Sequence, residues 1–308
     1  MEKTDLIFRE IKQEEGTHSY VFSKYIDPIA RVKPGETVVI HMKDAFENRI
    51  TSESDVPSKI LGNYLNPQTG PIYIEGAEPG DTLVAHIIDI EPTRDWAVSI
   101  LKQNFGGLTS TDITRTLNDP LPEKVWIYKL ENGMLKNNER LNFPWRPFLG
   151  TIGTAPEIEA ISALTPFDHG GNMDVPDVKP GNTVYLPVRT EGAYFFTGDC
   201  HAGQGDGELC GVALEISAKA TIKFELIKGK TIRWPRIESP EEYMAVGSAR
   251  PMEDAARIAY AELIDWLVEM GWDKLEAYQA LTQIGKLHVG NMVDTNYSLV
   301  AKVDKKYV

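Results

Sequence analysis

The chain has 308 residues, of which 42% are hydrophobic and 25% are charged, and its formal net charge is -13. This length can bury a substantial core, and the composition is ordinary for a soluble globular protein. An acidic chain without a basic stripe argues against nucleic acid as a partner, because phosphate binding needs a basic surface. No apolar run reaches the ~18 residues of a transmembrane helix, and residues 1–16 lack an apolar signal core. We therefore expect no membrane association and cytoplasmic residence.

Three Pro-Gly turns each precede an apolar stretch of the sequence. Proline favours the second position of a β-turn and glycine accepts the positive φ that follows, so each pair predicts a turn that begins a strand. The stretches behind the turns are rich in β-branched and apolar residues, as strands require. The turns are Pro34-Gly35, Pro79-Gly80 and Pro180-Gly181, and the predicted strands cover residues 37–42, 82–90 and 183–188. The chain is therefore expected to consist mostly of strands.

Further strands are predicted from local patterns. Asn132-Gly133 is a tight-turn pair between residues 125–129 and 134–136, which predicts a hairpin. Residues 212–216 and 220–227 alternate between apolar and polar side chains, so they are expected to form paired strands.

The C-terminal part of the sequence changes to helical spacing. Apolar residues recur at helical intervals from 252 to 270, and Gly271 ends the pattern. Asp273 is a candidate N-cap for a second helix over 274–284. Residues 288–294 are expected to form a loop and residues 297–303 a final strand. A helical pair therefore precedes the last strand.

The densest set of chemically active residues lies between 198 and 211. Five glycines are interleaved there with Asp199, His201, Gln204, Asp206 and Glu208. Glycine permits unusual backbone angles and close approach, so such a loop can direct several polar side chains into one small volume. Carboxylates and an imidazole are the groups that a divalent metal or an acid/base reaction requires.

Candidate metal ligands follow from position along the chain. Asp199 and His201 alternate on an extended segment, so both side chains can face one ion. Asp44, at the end of a predicted strand, and His169, beside Gly170-Gly171, are expected to complete the ligand set. An alternative for Asp44 is that its carboxylate caps its own loop backbone, and an alternative for His169 is a surface position.

The segment GDCHAGQGDGELCGVALE, residues 198–215, resembles the signature of the acetamidase/formamidase family. The resemblance extends to Asp44-Ala45-Phe46, Phe105-Gly106-Gly107, residues 169–174 and the Pro-Gly turn after them, and so covers most of the chain. Members of this family hydrolyse short amides to carboxylate and ammonia, and some act on lactams. The resemblance implies the same for this chain, with a small-molecule amide as the substrate.

The resemblance also implies an architecture. A mainly β (β-rich α+β) fold is expected, with a jelly-roll-like sandwich intertwined with a smaller barrel-like part. We expect residues 1–150 to form an N-terminal β-rich half and residues 151–308 a C-terminal half with the site loop and the helical pair. A cytoplasmic homo-oligomer built from dimers and a divalent metal, zinc in particular, are implied as well.

Roles within the loop follow from what amide hydrolysis demands. The nucleophile must be activated, the carbonyl polarised and the nitrogen protonated. Glu208 is predicted as the general base, which takes a proton from the attacking water and delivers it to nitrogen. Asp206 is expected to hold a ligand or a second, harder ion such as calcium, and Gln204 to orient the substrate amide. Any acid of this loop can instead bond backbone amides in a crowded turn.

Two rival hypotheses remain open. A cysteine nucleophile would use Cys200 beside His201, but adjacent residues on an extended chain face opposite sides, and no Gly-x-Ser-x-Gly motif supports a serine. Cys200 and Cys210 are expected to be reduced thiols. The second rival is a non-catalytic, jelly-roll-type protein that binds a metal or a sugar. For an amidase, Tyr64, Phe105, Met173 and Tyr194 are candidate walls of the acyl pocket.

Overall fold

The computed structural model describes residues 8–109 and 121–308. Residues 1–7 of the N-terminal stretch considered above lie outside the described residues. Strands dominate the described chain, as the turn and strand patterns predict. The first ten strands are β1 (Arg9–Ile11), β2 (Val21–Phe22), β3 (Ala30–Val32), β4 (Thr37–Met42), β5 (Thr69–Ile74), β6 (Thr82–Pro92), β7 (Trp96–Leu101), β8 (Lys124–Glu131), β9 (Met134–Lys136) and β10 (Asn142–Pro144).

The second half of the chain adds the remaining elements. Its strands are β11 (Phe148–Gly153), β12 (Ile161–Ser162), β13 (Gly170–Asn172), β14 (Thr183–Pro187), β15 (Phe195–His201), β16 (Ala218–Ile227), β17 (Arg236–Glu238), β18 (Glu242–Ala249), β19 (Lys286–Asn291) and β20 (Tyr297–Asp304). The helices are the single turn α1 (Pro57–Ile60), α2 (Met252–Glu269) and α3 (Lys274–Ile284), with a final 3-10 turn at Lys305–Tyr307. No helix of the described chain is both long enough and apolar enough to cross a membrane.

The strands form one large sheet and three smaller ones. The large sheet has nine strands in the order β1-β4-β16-β6-β14-β17-β18-β20-β19. A five-stranded sheet has the order β13-β11-β15-β5-β3, a four-stranded sheet has β10-β9-β8-β7, and β12 pairs with β2. The fold is mainly β, as expected, but among the described residues no sheet closes into a barrel, so the smaller part consists of open sheets.

Strands from both halves of the sequence share the two largest sheets. β16 lies between β4 and β6, and β15 lies between β11 and β5. The division after residue 150 falls inside β11. The main hydrophobic core accordingly draws buried residues from both halves, with Ile40 and Leu83 beside Leu186 and Phe224.

The Pro-Gly turns are confirmed by their backbone angles. Gly35, Gly80 and Gly181 have φ values of 88°, 95° and 89°, the left-handed region that glycine adopts without steric cost. The strands that follow them, β4, β6 and β14, all belong to the nine-stranded sheet. The hairpin is confirmed too, because Asn132 and Gly133 both have positive φ between β8 and β9.

Both predicted helices are present, and they cover one end of the large sheet. The carboxylate of Asp273 accepts hydrogen bonds from the backbone N–H groups of Leu275 and Glu276, at 2.9 and 3.1 Å, which is N-cap geometry. The apolar stripe of α2, including Leu263 and Trp266, packs against β18 and β20.

Two local predictions were wrong. Residues 212–216 do not form a strand: Leu214 and Ile216 are buried in the main core, so their alternation reflects burial, and only Glu215 makes isolated bridges, to Val98 and His201. Residues 288–294 were expected to be a loop, but β19 extends through Asn291 and pairs with β20 at the edge of the sheet. Its polar composition suits an edge strand, where side chains face solvent.

Candidate metal centre and active site

Asp199 and His201 lie at the end of β15 with their side chains together. His201 Nε2 is 3.5 Å from Asp199 Oδ2, which confirms the alternation expected of an extended segment. Two further carboxylates approach the same nitrogen, Glu215 Oε1 at 3.4 Å and Asp174 Oδ1 at 3.9 Å. All four side chains are buried. The fold therefore directs one imidazole nitrogen and three carboxylates to one point.

Three acids of this cluster have left-handed backbone angles. The φ values of Asp174, Asp199 and Glu208 are 49°, 54° and 50°. Such conformations cost residues with a Cβ of order 1 kcal/mol or more, and they persist only where surrounding structure imposes them. The strain at these three positions marks the cluster as a functional site.

Gly150 on β11 leaves room for two of the carboxylates. A Cβ placed on Gly150 would lie 2.6 Å from Asp174 Oδ1 and 2.8 Å from Asp199 Oδ2. Any side chain at this position would therefore displace the acids. Gly150 lies within a strand, so glycine is not needed here to form a turn. It is needed to leave space for the two acids.

Gln204 fixes the orientation of the histidine ring. Its amide Nε2 donates to the carbonyls of Asp174 and Gly290, both at 2.9 Å. Its Oε1 is therefore left to accept from His201 Nδ1, at 2.9 Å. With the proton on Nδ1 held by Gln204, Nε2 is the nitrogen that faces the acids.

Asparagine side chains donate hydrogen bonds to three of the buried acids. Asn172 Nδ2 donates to Asp174 Oδ2 at 2.9 Å and to Asp294 Oδ2 at 2.8 Å. Asn66 Nδ2 donates to Asp199 Oδ2 at 2.9 Å. These buried bonds hold the carboxylates in place without neutralising them.

Buried carboxylates crowd this site, and the pKa values of four of them are raised. Burial, with neighbouring carboxylates, raises the pKa of Asp174 and of Glu215 well above the usual range. Burial also raises the pKa of Glu208 to about 8 and that of Asp294 to about 7. Burial disfavours the imidazolium of His201, yet the carboxylates of Glu215 and Asp199 outweigh burial and raise its pKa to about 10. The site strongly favours positive charge.

The donor set fits a divalent cation. The ligand atoms of Asp174, Asp199 and His201 lie within 4.8 Å of one another, and so do those of His201, Glu208 and Glu215. His201 Nε2, Asp174 Oδ1 and Glu215 Oε2 are buried without a hydrogen-bond partner among the described residues, although buried polar atoms are normally paired. A cation bound by nitrogen and carboxylate oxygen would satisfy these atoms and offset the negative charge.

A cavity of about 250 Å³ opens beside the cluster. The polar side chains that line it are Asn63, Asn66, Lys102, Asn172, Asp199, Glu208, Glu215 and Asp294. A small ligand in this cavity would contact the carboxylates directly.

Comparison with known proteins identifies the family. The sequence model of the acetamidase/formamidase family matches residues 5–164 and 157–302, which is nearly the whole chain. The chain belongs to the acetamidase/formamidase family.

Individual members of the family show how close the likeness is. An acetamidase structure from Yersinia enterocolitica is 46% identical with a TM-score of 0.95, over 98% of this chain and 93% of that one. An acetamidase structure from Bacillus halodurans is 32% identical with a TM-score of 0.89, over 97% and 98% of the two chains. A formamidase from Methylophilus methylotrophus is 30% identical over 65% of this chain, and the match spans only 61% of the relative's own length.

Not every candidate residue of this family member joins the cluster. Asp44 is buried, but it accepts from the backbone N–H groups of Phe46 and Asn48 and lies 2.8 Å from an Arg94 guanidinium nitrogen. Its carboxylate therefore caps its own loop, which is the alternative that the sequence left open, and Asp44 belongs to neither group of convergent ligand atoms among the described residues.

His169 is likewise separate from the acids. It is fully buried, not on the surface, and its ring packs edge-on against Phe22 with centroids 4.7 Å apart. Burial lowers the pKa of His169 to about 3. It belongs to neither group of convergent ligand atoms among the described residues, so its expected role as a ligand is not supported by its position.

Asp206 and Gln204 also differ from expectation. The Asp206 side chain is 69% exposed and lies 3.6 Å from His288, so the structure does not bring it into the cluster. The expectation of a second, calcium-type ion rested on Asp206 and loses its support. Gln204 accepts a hydrogen bond from His201 Nδ1, the ring nitrogen that faces away from the acids, and it does not line the cavity. It therefore supports the histidine and is not placed to contact a substrate in the cavity.

Three acids of the site were missed as candidates. Asp174 and Glu215 lie within the two motifs that carry the family resemblance, at the end of 169–174 and of 198–215, so the motifs contained the signal. Asp294 follows β19, in a stretch that the sequence predicted only as loop. Of the two acids predicted in the loop after His201, Glu208 lines the cavity and Asp206 does not.

The cysteines have no part in this site. Cys200 and Cys210 are both free thiols, as expected for a reduced protein. Burial, followed by the nearby carboxylates of Glu215 and Asp199, raises the pKa of Cys200 well above its usual value. A Cys200 thiolate is therefore disfavoured, and the cysteine-nucleophile hypothesis is not supported.

Proposed function

We propose that this chain hydrolyses short aliphatic amides to carboxylate and ammonia, with a divalent cation, zinc, held at the carboxylate cluster. Family membership supports the reaction class. The observation that carries the proposal is the convergence of His201 Nε2 with the carboxylates of Asp199, Glu215 and Asp174, between 3.4 and 3.9 Å away. A sugar-binding site does not need this many acids beside its cavity.

The cation would be held by His201, Asp199, Asp174 and Glu215. Imidazole nitrogen combined with carboxylate oxygen suits zinc. When bound, the ion supplies a Lewis acid for the amide carbonyl. Gln204 is a positioning residue, because it accepts from His201 Nδ1 and so keeps Nε2 toward the ion, as partners of ligand histidines do.

Glu208 is the proposed general base. It lines the cavity and its ligand atom lies within 4.8 Å of those of His201 and Glu215. A bound cation would favour the ionised form of Glu208, and from that position the carboxylate can take the proton of the attacking water. The same oxygen can then deliver it to the amide nitrogen, which makes the amine a viable leaving group. Asn66 and Asn172 keep the neighbouring acids from rotating into the space of the substrate.

Assembly and location are part of the same proposal. We propose a cytoplasmic homodimer or a multiple of dimers. Large apolar side chains exposed on α3, Leu275 at 74% and Tyr278 at 65%, support a further subunit contact there. Light scattering in solution tests this, with a mass of at least twice 34.4 kDa expected and a monomer mass contradicting it.

Ammonia release from acetamide tests the function. The purified protein should release ammonia, lose that activity after thorough chelation and regain it with added zinc. Glu208→Gln keeps the size of the side chain but removes the base, so kcat should fall by about 10²-fold or more. Asp206→Asn is the matched control, because Asp206 is an exposed acid of the same loop, and it should leave kcat nearly unchanged.

Two outcomes separate the alternatives. Full activity in protein shown by elemental analysis to be metal-free would overturn the metal mechanism. No ammonia from any short amide, with the metal bound, would favour the non-catalytic metal-binding protein.

A further inference from the structure

We propose that the preferred substrates are primary amides with an apolar acyl group larger than acetyl, such as propanamide or butanamide. This inference rests on the proposed amidase function and specifies its substrate class. It depends on the composition of the cavity wall away from the carboxylates. A one- or two-carbon amide would not contact that part of the wall.

The cavity has two chemically different parts. Its polar part is made by the buried acids with Asn66 and Asn172, and Asn63 and Lys102 add two further polar side chains. Most of the remaining wall is apolar, and includes Phe46, Leu65, Ile100, Phe105 and Val212. An amide group placed at the carboxylates would therefore have its acyl substituent directed onto an apolar surface.

The apolar wall is a fixed part of the protein. Phe46 and Ile100 are buried members of a hydrophobic cluster of their own, and Leu65 and Val212 pack against that cluster. Phe46 is 2% exposed and Ile100 is fully buried, so these two side chains support the wall from behind. Leu65, Phe105 and Val212 are half-buried and present the apolar surface that a ligand can contact.

Phe105 adds a wall from the 103–109 loop, and its position is set by close packing. A Cβ on Gly211 would lie 2.5 Å from Phe105 Cδ1, so the ring rests directly on the backbone of Gly211. The loop is joined to the same segment by the hydrogen bond from Gly107 N to Leu209 O, at 2.8 Å. Phe105 is therefore the aromatic residue of this loop that a larger acyl group would contact.

The volume supports a larger ligand as well. The cavity of about 250 Å³ corresponds to roughly eight water molecules at ~30 Å³ each. Formamide has no acyl carbon to place on the apolar wall, and acetamide has one methyl group. Each additional buried methylene should favour the transition state by about fourfold, so specificity should rise along the alkyl series until the cavity is full.

The first experiment uses the wild-type enzyme with its metal. Values of kcat/KM are measured from ammonia release for acetamide, propanamide, butanamide and benzamide, each divided by its hydroxide-catalysed rate to remove intrinsic reactivity. We expect a rise of at least about tenfold from acetamide to butanamide. A decline from acetamide onward would overturn the inference and leave the amidase function intact, whereas no hydrolysis of any amide would defeat the function itself.

The second experiment tests the wall. Phe105→Ala should lower the ratio of kcat/KM for butanamide to that for acetamide by about fivefold or more, because the larger group loses its contact. Phe167→Ala is the matched control: Phe167 packs edge-on against Trp234 and does not line the cavity, so the ratio should not change. Phe105→Leu replaces the alanine variant if that fails to fold. An unchanged ratio in a folded Phe105 variant would contradict the proposal.

Discussion

At the scale of single residues, the site depends on where side chains are absent as much as on where they are present. The backbone of Gly150 passes within contact distance of the carboxylates of Asp174 and Asp199. Its φ is not left-handed, so alanine meets no backbone strain there. A methyl group here would meet the two carboxylates and the backbone carbonyl of Asp199, at 2.9 Å, so its effect reports on Asp174 and Asp199.

We predict that Gly150→Ala weakens zinc binding by about 10 to 100-fold, the range for displaced partners of a metal site. The added Cβ would force apart the oxygens of Asp174 and Asp199, which lie 2.6 and 2.8 Å from it. Competition with a chelator of known affinity measures the change. Gly205→Ala is the control, because nothing lies within 4 Å of its added Cβ, and equal affinities for the two variants would contradict the prediction.

The sequence revealed those site residues whose geometry follows from local regularity. Asp199 and His201 could be paired because residues two apart on a strand share a face. Asp174 lies outside any strand, and Glu215 makes only isolated bridges, so no periodicity indicates where either side chain points. Asp44 is the opposite case. Its position at the end of a strand made it a candidate ligand, but its carboxylate accepts hydrogen bonds from the backbone of its own loop.

At the scale of elements, the Pro-Gly turns differ in how strongly their acids are bound. Asp81, after the second turn, is buried and accepts from the N–H groups of Gly229 and Glu78 and from Lys228 Nζ, at 2.8, 2.9 and 2.6 Å. Burial opposes its ionisation, but Lys228 and the backbone donors outweigh burial and hold its pKa below the usual value. This acid joins the start of β6 to the turn after β16.

We predict that Asp81→Ala lowers the free energy of unfolding by about 1–3 kcal/mol, because it removes three hydrogen bonds to a buried carboxylate. Glu36→Ala, at the equivalent position of the first turn but more exposed, should cost less than half as much. Urea denaturation measures both. Because the pKa of Asp81 is lowered in the folded protein, its contribution to stability is present above the ordinary aspartate pKa of about 3.9. That contribution is lost as the pH falls through the pKa of the folded state. An equal loss of stability in both variants would contradict this account.

Turns and helices were predictable because their chemistry is local. Positive φ at Gly35 and Gly80 and the cap at Asp273 follow from residues next to one another. Residues 212–216 have a strand pattern without a strand, because whether an alternating segment joins a ladder depends on partners distant in sequence. β19 was missed for the same reason, since its partner β20 decides its structure.

At the scale of the whole molecule, the two halves of the chain complete each other's sheets. β16 has strands of the first half on both sides, β4 and β6, and β6 has β16 and β14 of the second half on both sides. The strand order of the large sheet could not be inferred from sequence, because the patterns that indicate a strand do not indicate its neighbours.

We predict that residues 1–150 and 151–308 do not fold as separate fragments, since each would expose unpaired central strands. The intact chain should unfold in one cooperative transition by calorimetry. Circular dichroism and amide exchange of each fragment test this. The intact chain is the control, and a cooperative transition in either isolated fragment would show that the half is an independent domain.

Anomalous diffraction at the zinc edge, from crystals of enzyme shown to release ammonia from an amide, tests the central claim most directly. We expect a peak at about 2.0–2.2 Å from His201 Nε2 and from carboxylate oxygens of Asp199 and its neighbours. The account would be contradicted by active crystals that show no anomalous peak at these residues, either at the zinc edge or at the edge of another transition metal.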